Sequence, residues 1–496
     1  MSAFITDYKE KRLSGDINRD VARLTAEIKD DSVLRVRSIK PEGTDVEFAL
    51  LFLDGMTNGV FLSENVIKPL NRALKGKSGY ISARQVCERV LFANEVSLKT
   101  TVDEMLFTVL SGDTLILVSG STTAICVNAK GFPSRAVEEP VDERVTQGPR
   151  EGFCEVAIMN LALIRRRLIT PDLRIEPLKA GKRSDTAVYI CYLETLTDGG
   201  ILKELKERMK KINIDGVLDS NYLTEYIRDG KYSIFKTVGT TERPDVVAAR
   251  LLEGRVAIVV DGTPMVLTVP YLFSENFQSD EDYYLNFLVA GIRRLLRYVC
   301  FIASVSVPAV FVALSTFHIE LMPTHFAISV AELRMGVPIS SVGECLLLVV
   351  VFEVLKEAGI RMSQSLGHAL SIVGGLVVGQ AAVEAKIISA PMLIAVAFSG
   401  ICGLMVPRLK TSVLYIRIVS VIVCSLLGLY GFMAVSALVL SYVLNVKSFG
   451  VDYTISLDRV SRQSLKDSVI RAPWTNMINR PHFSKDLRRS GGDKDD

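Results

Sequence analysis

The sequence predicts an α/β N-terminal region of two subdomains, followed by an α-helical transmembrane domain of five to six segments. Three observations carry that prediction. Charged residues are dense up to about Arg297 and nearly vanish between Val299 and Val446, where long apolar runs take over. Before the change, apolar runs of strand length alternate with stretches of helical period. After it, several uncharged runs reach the length of a bilayer crossing.

In the first subdomain (residues 1–145), Phe48–Leu53 is a continuous apolar run that reads as a strand, closed by Asp54-Gly55. Glu64–Leu74 reads as a helix, and Thr114–Val118 and Thr123–Val127 as short strands around Gly120. The stretch Gly131–Gly152, rich in Pro, Glu and Gly, leads into the second subdomain (146–290). There Glu155–Leu168 has helical period and Ala187–Leu193 is a strand. Ile201–Ile212 is amphipathic, with Ile201, Leu205, Met209 and Ile212 on one face. Val256–Val260, Asp261-Gly262 and Met265–Val269 read as strand, tight turn and strand. Mixed sheets are expected in both units.

In the membrane half (291–447), Val299–Phe317 is uncharged and contains Pro308, which should kink it. Ser340–Gly359 carries Glu344, Glu353, Lys356 and Glu357, so hydropathy alone would lay it in the interface. Topology decides otherwise. The clusters Arg293, Arg294, Arg297 and Arg408, Lys410, Arg417 should both be cytoplasmic. They reach the same side only if Ser340–Gly359 crosses as well. Glu344, Glu353, Glu357 and Arg361 then become membrane-embedded charges turned to protein or water, with Glu357–Arg361 a favourable i,i+4 pair. Met362–Val383 and Ile387–Pro407 are further crossings. Ile418–Val446 spans about 43 Å as a helix, long for one crossing and short for two, with Gly428 and Gly431 marking a candidate break. The tail (448–496) is expected to be partly disordered and to lie on the cytoplasmic side.

Ser371–Ala385, S-I-V-G-G-L-V-V-G-Q-A-A-V-E-A, is too rich in glycine and polar residues for a simple anchor. Gly375 and Gly379 are four apart and would let a neighbouring helix approach closely. Val373, Val377, Gln380 and Glu384 follow 4-3-4 spacing and share another face. That face is a candidate pore lining, with the valines as a constriction that gates by dewetting and the polar pair as a cation-favouring mouth. The bland alternative is that Gln380 and Glu384 are satisfied inside a helix bundle.

Other chemistries find little support. A net charge of +3, without a basic stripe bearing aromatics, argues against nucleic acid. No nucleophile elbow, phosphate loop or dinucleotide fingerprint occurs, so neither an enzyme nor a cofactor is expected. All four histidines lie outside the soluble half, and His318-x-Glu320…His325 lacks a zinc-helix spacing, so no metal is expected. The eight cysteines are scattered without a C-x-x-C pair and read as reduced, buried hydrophobes. Arg165-Arg166-Arg167 could grip an anion, but three successive helical residues diverge, which favours a solvated or ion-paired face. The opening residues lack the apolar core of a signal peptide, so the soluble half is expected in the cytoplasm.

An ordered set of strings now coincides with a known family. They are Gly148-Pro-Arg-Glu-Gly-Phe153, Leu163-Ile-Arg-Arg-Arg167, Thr241-Glu-Arg-Pro-Asp245, Leu251-Leu-Glu-Gly-Arg-Val-Ala-Ile258 and Asp282-Tyr-Tyr284. Phe352-Glu-Val-Leu-Lys-Glu-Ala-Gly359, the Ser371–Ala385 stretch, Ser448-Phe-Gly450 and Ile470-Arg-Ala-Pro473 follow. In these the chain resembles the A subunit of GerA-type spore germinant receptors, the nutrient sensors of endospore-forming bacteria. The resemblance marks Arg150, Glu151, Arg165, Arg166, Glu242, Arg243 and Asp245 as soluble-domain motif residues. It implies an integral protein of the spore inner membrane, a permease-like B subunit that binds nutrient, and a lipoprotein C subunit. It also implies a homo-oligomeric ring of A subunits forming a cation channel, with no enzymatic activity and no organic cofactor. The chain departs from the family at Phe235-Lys-Thr237, where Phe-Pro-Gln is frequent, and at Asp452, where a proline is usual. A secondary transporter fits less well, for want of an internal repeat pairing the membrane halves. A membrane-anchored signalling scaffold leaves the composition of Ser371–Ala385 unexplained.

Overall fold

The computed structural model describes residues 12–29, 31–74, 81–93, 95–131, 139–140, 143, 145–361, 377, 379–454 and 467–489. Its soluble region builds one unit twice. In the first copy, α1 (Ile17–Glu27) precedes strands β1 (Leu34–Ile39) and β2 (Phe48–Leu53). Then α2 (Gly59–Leu62) runs through a π-turn at Ser63–Ile67 into α3 (Lys68–Leu74), and α4 (Ala83–Arg89) follows. The copy closes with β3 (Val96–Lys99), α5 (Val102–Leu110), β4 (Thr114–Val118) and β5 (Ala124–Val127). The second copy comprises α6 (Ala157–Arg167), β6 (Leu173–Ala180), β7 (Thr186–Leu193), α7 (Gly199–Lys210) and α8 (Ser220–Ile227). It ends with β8 (Gly239–Thr241), α9 (Pro244–Leu252), β9 (Val256–Val260) and β10 (Val266–Val269).

The two five-stranded sheets have the same order, β1-β2-β4-β5-β3 and β6-β7-β9-β10-β8. Every neighbouring pair in them is antiparallel, which corrects the expected mixed sheets. Alternation of strands with helices does not by itself set strand direction. Here the tight turns at Ser119–Thr123 and Asp261–Met265 make antiparallel hairpins, and the helical crossover lands on the far edge.

The copies share turn and cap chemistry. Gly112 and Gly254 (φ +90° and +86°) follow α5 and α9, and Gly120 and Gly262 (φ +78° and +90°) make the two hairpin turns. Asn58 and Asp198 cap α2 and α7, each side chain accepting two backbone N–H groups. Thr57 and Thr197, Gly59 and Gly199, and Asp103 and Asp245 also correspond, but the strands share little beyond apolar character, so the duplication is faint in sequence.

Alternate residues of each strand divide between two faces. Leu51, Leu53, Leu115 and Leu117 join Leu161, Ile164, Val247, Leu251 and Val259 in one core that spans both copies. Leu50 and Ile116 face helices α3 and α4 of the first copy, and Ile190 and Ile258 face α7 and α8 of the second. A fully buried ion pair, Arg165–Asp31, crosses this joint. Arg165 also donates to the carbonyls of Thr170 (2.9 Å) and Leu173 (3.2 Å), and Ser32 N–H donates to Ile175 O (3.1 Å). Burial pushes the Asp31 carboxyl up and the Arg165 guanidinium down, each countered mainly by the other.

The helical region contains α10 (Phe287–Thr316), α11 (Thr324–Arg334), α12 (Ser341–Arg361), helical residues 379–384, α13 (Ala390–Leu404) and α14 (Lys410–Asn445). Among the described residues, two helical stretches, Phe287–Thr316 and Pro407–Asn445, are long and apolar enough to cross a membrane. Helices α10, α12, α13 and α14 share a core of Ala309, Val312, Cys345, Val349, Met392, Val396, Val421 and Cys424.

The length ambiguity of the last apolar segment resolves at Gly428, whose backbone is non-helical (φ +60°, ψ −141°). A straight helix would hold Val413 and Val443 about 45 Å apart. Instead both lie in one cluster with Leu409 and Ile416. A Cβ placed on Gly431 would sit 2.7 Å from Val423 O. α14 is therefore an antiparallel hairpin whose arms, 410–427 and 429–445, are each about 26 Å long. The chain returns to the soluble region through β11 (Lys447–Ser448) and β12 (Val451–Asp452).

Candidate functional site

Four separated stretches of sequence meet where the soluble region touches the base of the helices. Arg243 is the N-cap residue of α9, and Pro244 starts the helix behind it. Its guanidinium clasps Asp245 through two bonds (3.2 and 2.7 Å) and donates to Pro149 O (3.1 Å) and Glu143 O (3.4 Å). Asp245 accepts the Tyr284 hydroxyl (2.5 Å), and Phe153 N–H donates to Glu242 O (2.7 Å). Gly148 (φ +115°) lies against Tyr284, where a Cβ would come within 2.7 Å of the ring. Burial and then the Asp245 carboxylate hold the Tyr284 phenol well above its ordinary range.

Arg408 enters this junction from the loop between α13 and α14. It donates to Glu275 O (3.0 Å) and pairs with Glu143 (3.5 Å) and Asp280 (3.7 Å). Glu143 in turn accepts from Thr241 Oγ1 (2.5 Å) and Glu242 N–H (3.0 Å). Burial works against the Arg408 charge, but Tyr271, Asp280, Glu143 and Glu275 hold its pKa above the ordinary value. Burial and then Asp280 push the Glu143 carboxyl up, with Arg408 opposing.

That direction has a measurable sign. A carboxyl whose folded pKa is raised costs stability while ionised, and the cost disappears as pH falls through that pKa. Glu143→Gln should therefore match or exceed the parent in thermal unfolding near neutral pH. The advantage should shrink on acidification; a Gln variant that is less stable at neutral pH would contradict it.

The remaining motif residues have structural partners. Arg166 and Arg167 both pair with Glu151, the latter at 2.7 Å, while Arg165 turns into the joint between the copies. The arginine run is thus an ion-paired face. Partial burial would raise the Glu151 carboxyl, yet Arg166 and Arg167 hold it below the usual range. Arg150 is exposed and lies 3.8 Å from Glu139.

A second attachment follows α14. Ser448 Oγ donates to Thr237 O (2.7 Å) and accepts from Tyr271 N–H (3.0 Å). Phe449 N–H donates to Asp229 Oδ2 (2.8 Å), and the Arg208 guanidinium lies 4.3 Å over the Phe449 ring. The departure Phe235-Lys-Thr237 sits beside it, with Phe235 buried against Phe273, Tyr442 and Tyr453.

Within the helical region, Glu344 is fully buried and accepts Ser389 N–H (3.1 Å) and Oγ (2.6 Å), with Arg334 at 3.5 Å. It holds the start of α13 against α12. Glu353 pairs with Lys356 at 2.6 Å. Glu357 is exposed; its expected pairing with Arg361 depends on a side chain outside the described residues.

Arg417 corrects one expectation and supplies a residue the sequence reading misplaced. It does not lie at the base of the helices with Arg408 but is buried within the bundle, about 13 Å further along the helix. It donates to Ser304 O on α10 (2.8 Å) and Ser399 O on α13 (3.1 Å). The cause is Pro308, which has no N–H to offer the carbonyl four residues earlier, that of Ser304. A proline inside an apolar run together with a distant arginine was the available signal.

Of the candidate pore stripe, Val373 lies outside the described residues, as does Gly375. Val377 is 54% exposed, and the exposed Gln380 donates to Glu384 Oε1 (2.9 Å). Gly379 faces α13, where a Cβ would find Leu393 Cδ2 at an ordinary 3.6 Å. Among the described residues no group of three or more potential metal ligands occurs.

Residues 22–483 match the family described as Bacillus/Clostridium GerA spore germination protein. The chain belongs to that family. It is 36% identical to spore germination protein KA of Bacillus subtilis, over 97% of this chain and 89% of that one. With spore germination protein A1 of the same organism it shares 32%, over 97% and 98% of the two chains. With spore germination protein GerLA of Bacillus cereus it shares 33%, over 95% and 96%. Among solved structures it is similar to the N-terminal domain of the A subunit of the Bacillus megaterium germinant receptor GerK3. That match has 29% identity and a TM-score of 0.42, and covers 53% of this chain and 98% of that one. Of the strings that carry the resemblance, those at residues 148–153, 241–245 and 282–284 meet at Arg243, Asp245 and Tyr284.

Proposed function

We propose that this chain is the A subunit of a nutrient germinant receptor, and that copies of it assemble around a cation-conducting path in the spore inner membrane. Membership of the GerA family supports the receptor role. The observation that carries the pore is the exposed, mutually bonded pair Gln380–Glu384, beside an exposed Val377. A carboxylate and an amide are costly against lipid, so this face belongs against water or against another copy. On this reading Val373 and Val377 form the constriction, and Gln380 and Glu384 the cation-favouring mouth.

The α14 hairpin supplies two crossings, which with α10, α12, the apolar run 362–383 and α13 makes six. The soluble region and the docked part of the tail then share the cytoplasmic side. A permease-like B subunit that binds nutrient and a lipoprotein C subunit complete the receptor.

The test is made in spores. Val377→Ala should weaken the constriction and raise nutrient-free germination about tenfold, equivalent to about 1.4 kcal/mol on the closed state. Normal dormancy and normal nutrient response in both Val377→Ala and Gln380→Ala spores, with the protein at its usual level, would remove the pore assignment.

A further inference from the structure

Both ends of the α14 hairpin are held by the second copy of the soluble unit and the 3-10 turns that follow it. At the start, Arg408 reaches Glu275 O and Asp280 in the adjacent 3-10 turns, and Glu143 from the segment that precedes the second copy. One turn on, Ser412 Oγ donates to Ile234 O. At the exit, Ser448 is bonded to Thr237 and Tyr271, and Phe449 is fixed by Asp229 from its backbone and by Arg208 over its ring. Between the two ends, Phe235, Tyr271 and Phe277 share an apolar cluster with Val413, Ile416 and Val443.

The Phe449 backbone provides an independent indication. Its φ is +50°, a conformation that a bulky residue adopts only when its surroundings impose it. The two-residue turn between β11 and β12 has positive φ at both positions; Gly450 (φ +77°) fills the second, while the first carries the aromatic ring. The far end of the hairpin is different, since a single non-helical glycine, Gly428, makes the reversal there.

We infer that Arg408 and Phe449 form a two-point clamp that makes the second copy and the α14 hairpin one rigid body, so that movement of the soluble region repositions the hairpin in the membrane. The inference rests on the receptor reading above. Arg408 and Phe449 are positioning residues in it, acting through the hairpin and not at the ion path. A rigid clamp predicts that tying the two parts together covalently is harmless, and that loosening either anchor weakens the response.

The experiment uses the full chain in spores that contain its partner subunits. Arg408→Gln, accumulating to the parent level in the membrane, should need about tenfold more nutrient for half-maximal germination, within the range typical of coupling between sites. Phe449→Gly, which suits the backbone and removes only the ring, should shift the dose in the same direction. Ile234→Cys with Ser412→Cys, oxidised to a disulfide with copper phenanthroline, should leave the parent response unchanged and restore that of Arg408→Gln. A merely structural arginine would not be rescued in dose by that crosslink. Should Arg408→Gln fail to accumulate, Phe449→Gly and the crosslink carry the comparison. The clamp is overturned if the accumulated variants respond at the parent dose, or if the crosslinked parent falls silent. The receptor reading fails separately, if spores deleted for this chain answer every nutrient as before.

Discussion

Arg165→Ala should destabilise the soluble region by about 3–5 kcal/mol, because it leaves the Asp31 carboxylate buried without its partner. Both side chains are fully buried, and both belong to the joint between the duplicated units. The lost guanidinium also leaves the Thr170 and Leu173 carbonyls without their donor. Arg166→Ala is the control. Its pair with Glu151 is about one-third exposed, and Arg167 remains on the same carboxylate, so a loss below about 1 kcal/mol is expected. Thermal unfolding of the detergent-solubilised chain, read beside its level in the membrane, compares the two. Asp31→Leu with Arg165→Met should recover much of the loss, since a packed apolar pair needs no charge compensation. Equal stabilities for Arg165→Ala and Arg166→Ala would show that the joint does not depend on the pair.

Gly428→Val should prevent the last hairpin from closing. A side chain at φ +60° and ψ −141° costs roughly 1–3 kcal/mol in backbone strain. The Cβ would also stand 2.8 Å from His318 Nε2 and 3.1 Å from Phe317 Cβ, adding about 1–3 kcal/mol of overpacking. The expected result is a protein largely missing from the membrane, or one whose 429–445 arm is open to protease. Gly379→Ala is the matched contrast, because its Cβ would meet Leu393 at 3.6 Å and should be tolerated. Normal accumulation and protease resistance of Gly428→Val would rule out the hairpin geometry.

Legibility in the sequence followed burial. Phe48–Leu53, Thr114–Val118 and Val256–Val260 are readable as strands because both of their faces are covered, so every position but Thr114 is apolar. The edge strands β1 (L-R-V-R-S-I) and β6 (L-R-I-E-P-L-K-A) are not. Edges face water and tolerate charge, and Pro177 costs no ladder bond there, so their pattern looks like loop. The duplication is faint in the sequence for a related reason. Its shared residues are mainly glycines and caps at turns, whereas the strands between them require only apolar character.

The candidate sites divide in the same way. Motif residues Arg243, Asp245 and Tyr284 could be picked out individually, but nothing in their spacing says that they touch each other. Arg408 and Arg417 look alike in a topology argument, as two positive residues beside an apolar run. Packing separates them: one joins the helices to the soluble region, and the other replaces the N–H that Pro308 lacks.

The sequence by itself determined the α/β region, the apolar helices, most buried strands and the family. Each of these depends on local periodicity or on a string of neighbouring residues. The tertiary structure alone decided strand direction, the pairing of Asp31 with Arg165, the reversal at Gly428 and the attachment of both hairpin ends to the second unit. Those depend on contacts between residues far apart in the chain, and residue order does not encode which distant partner satisfies a buried charge or an orphaned carbonyl.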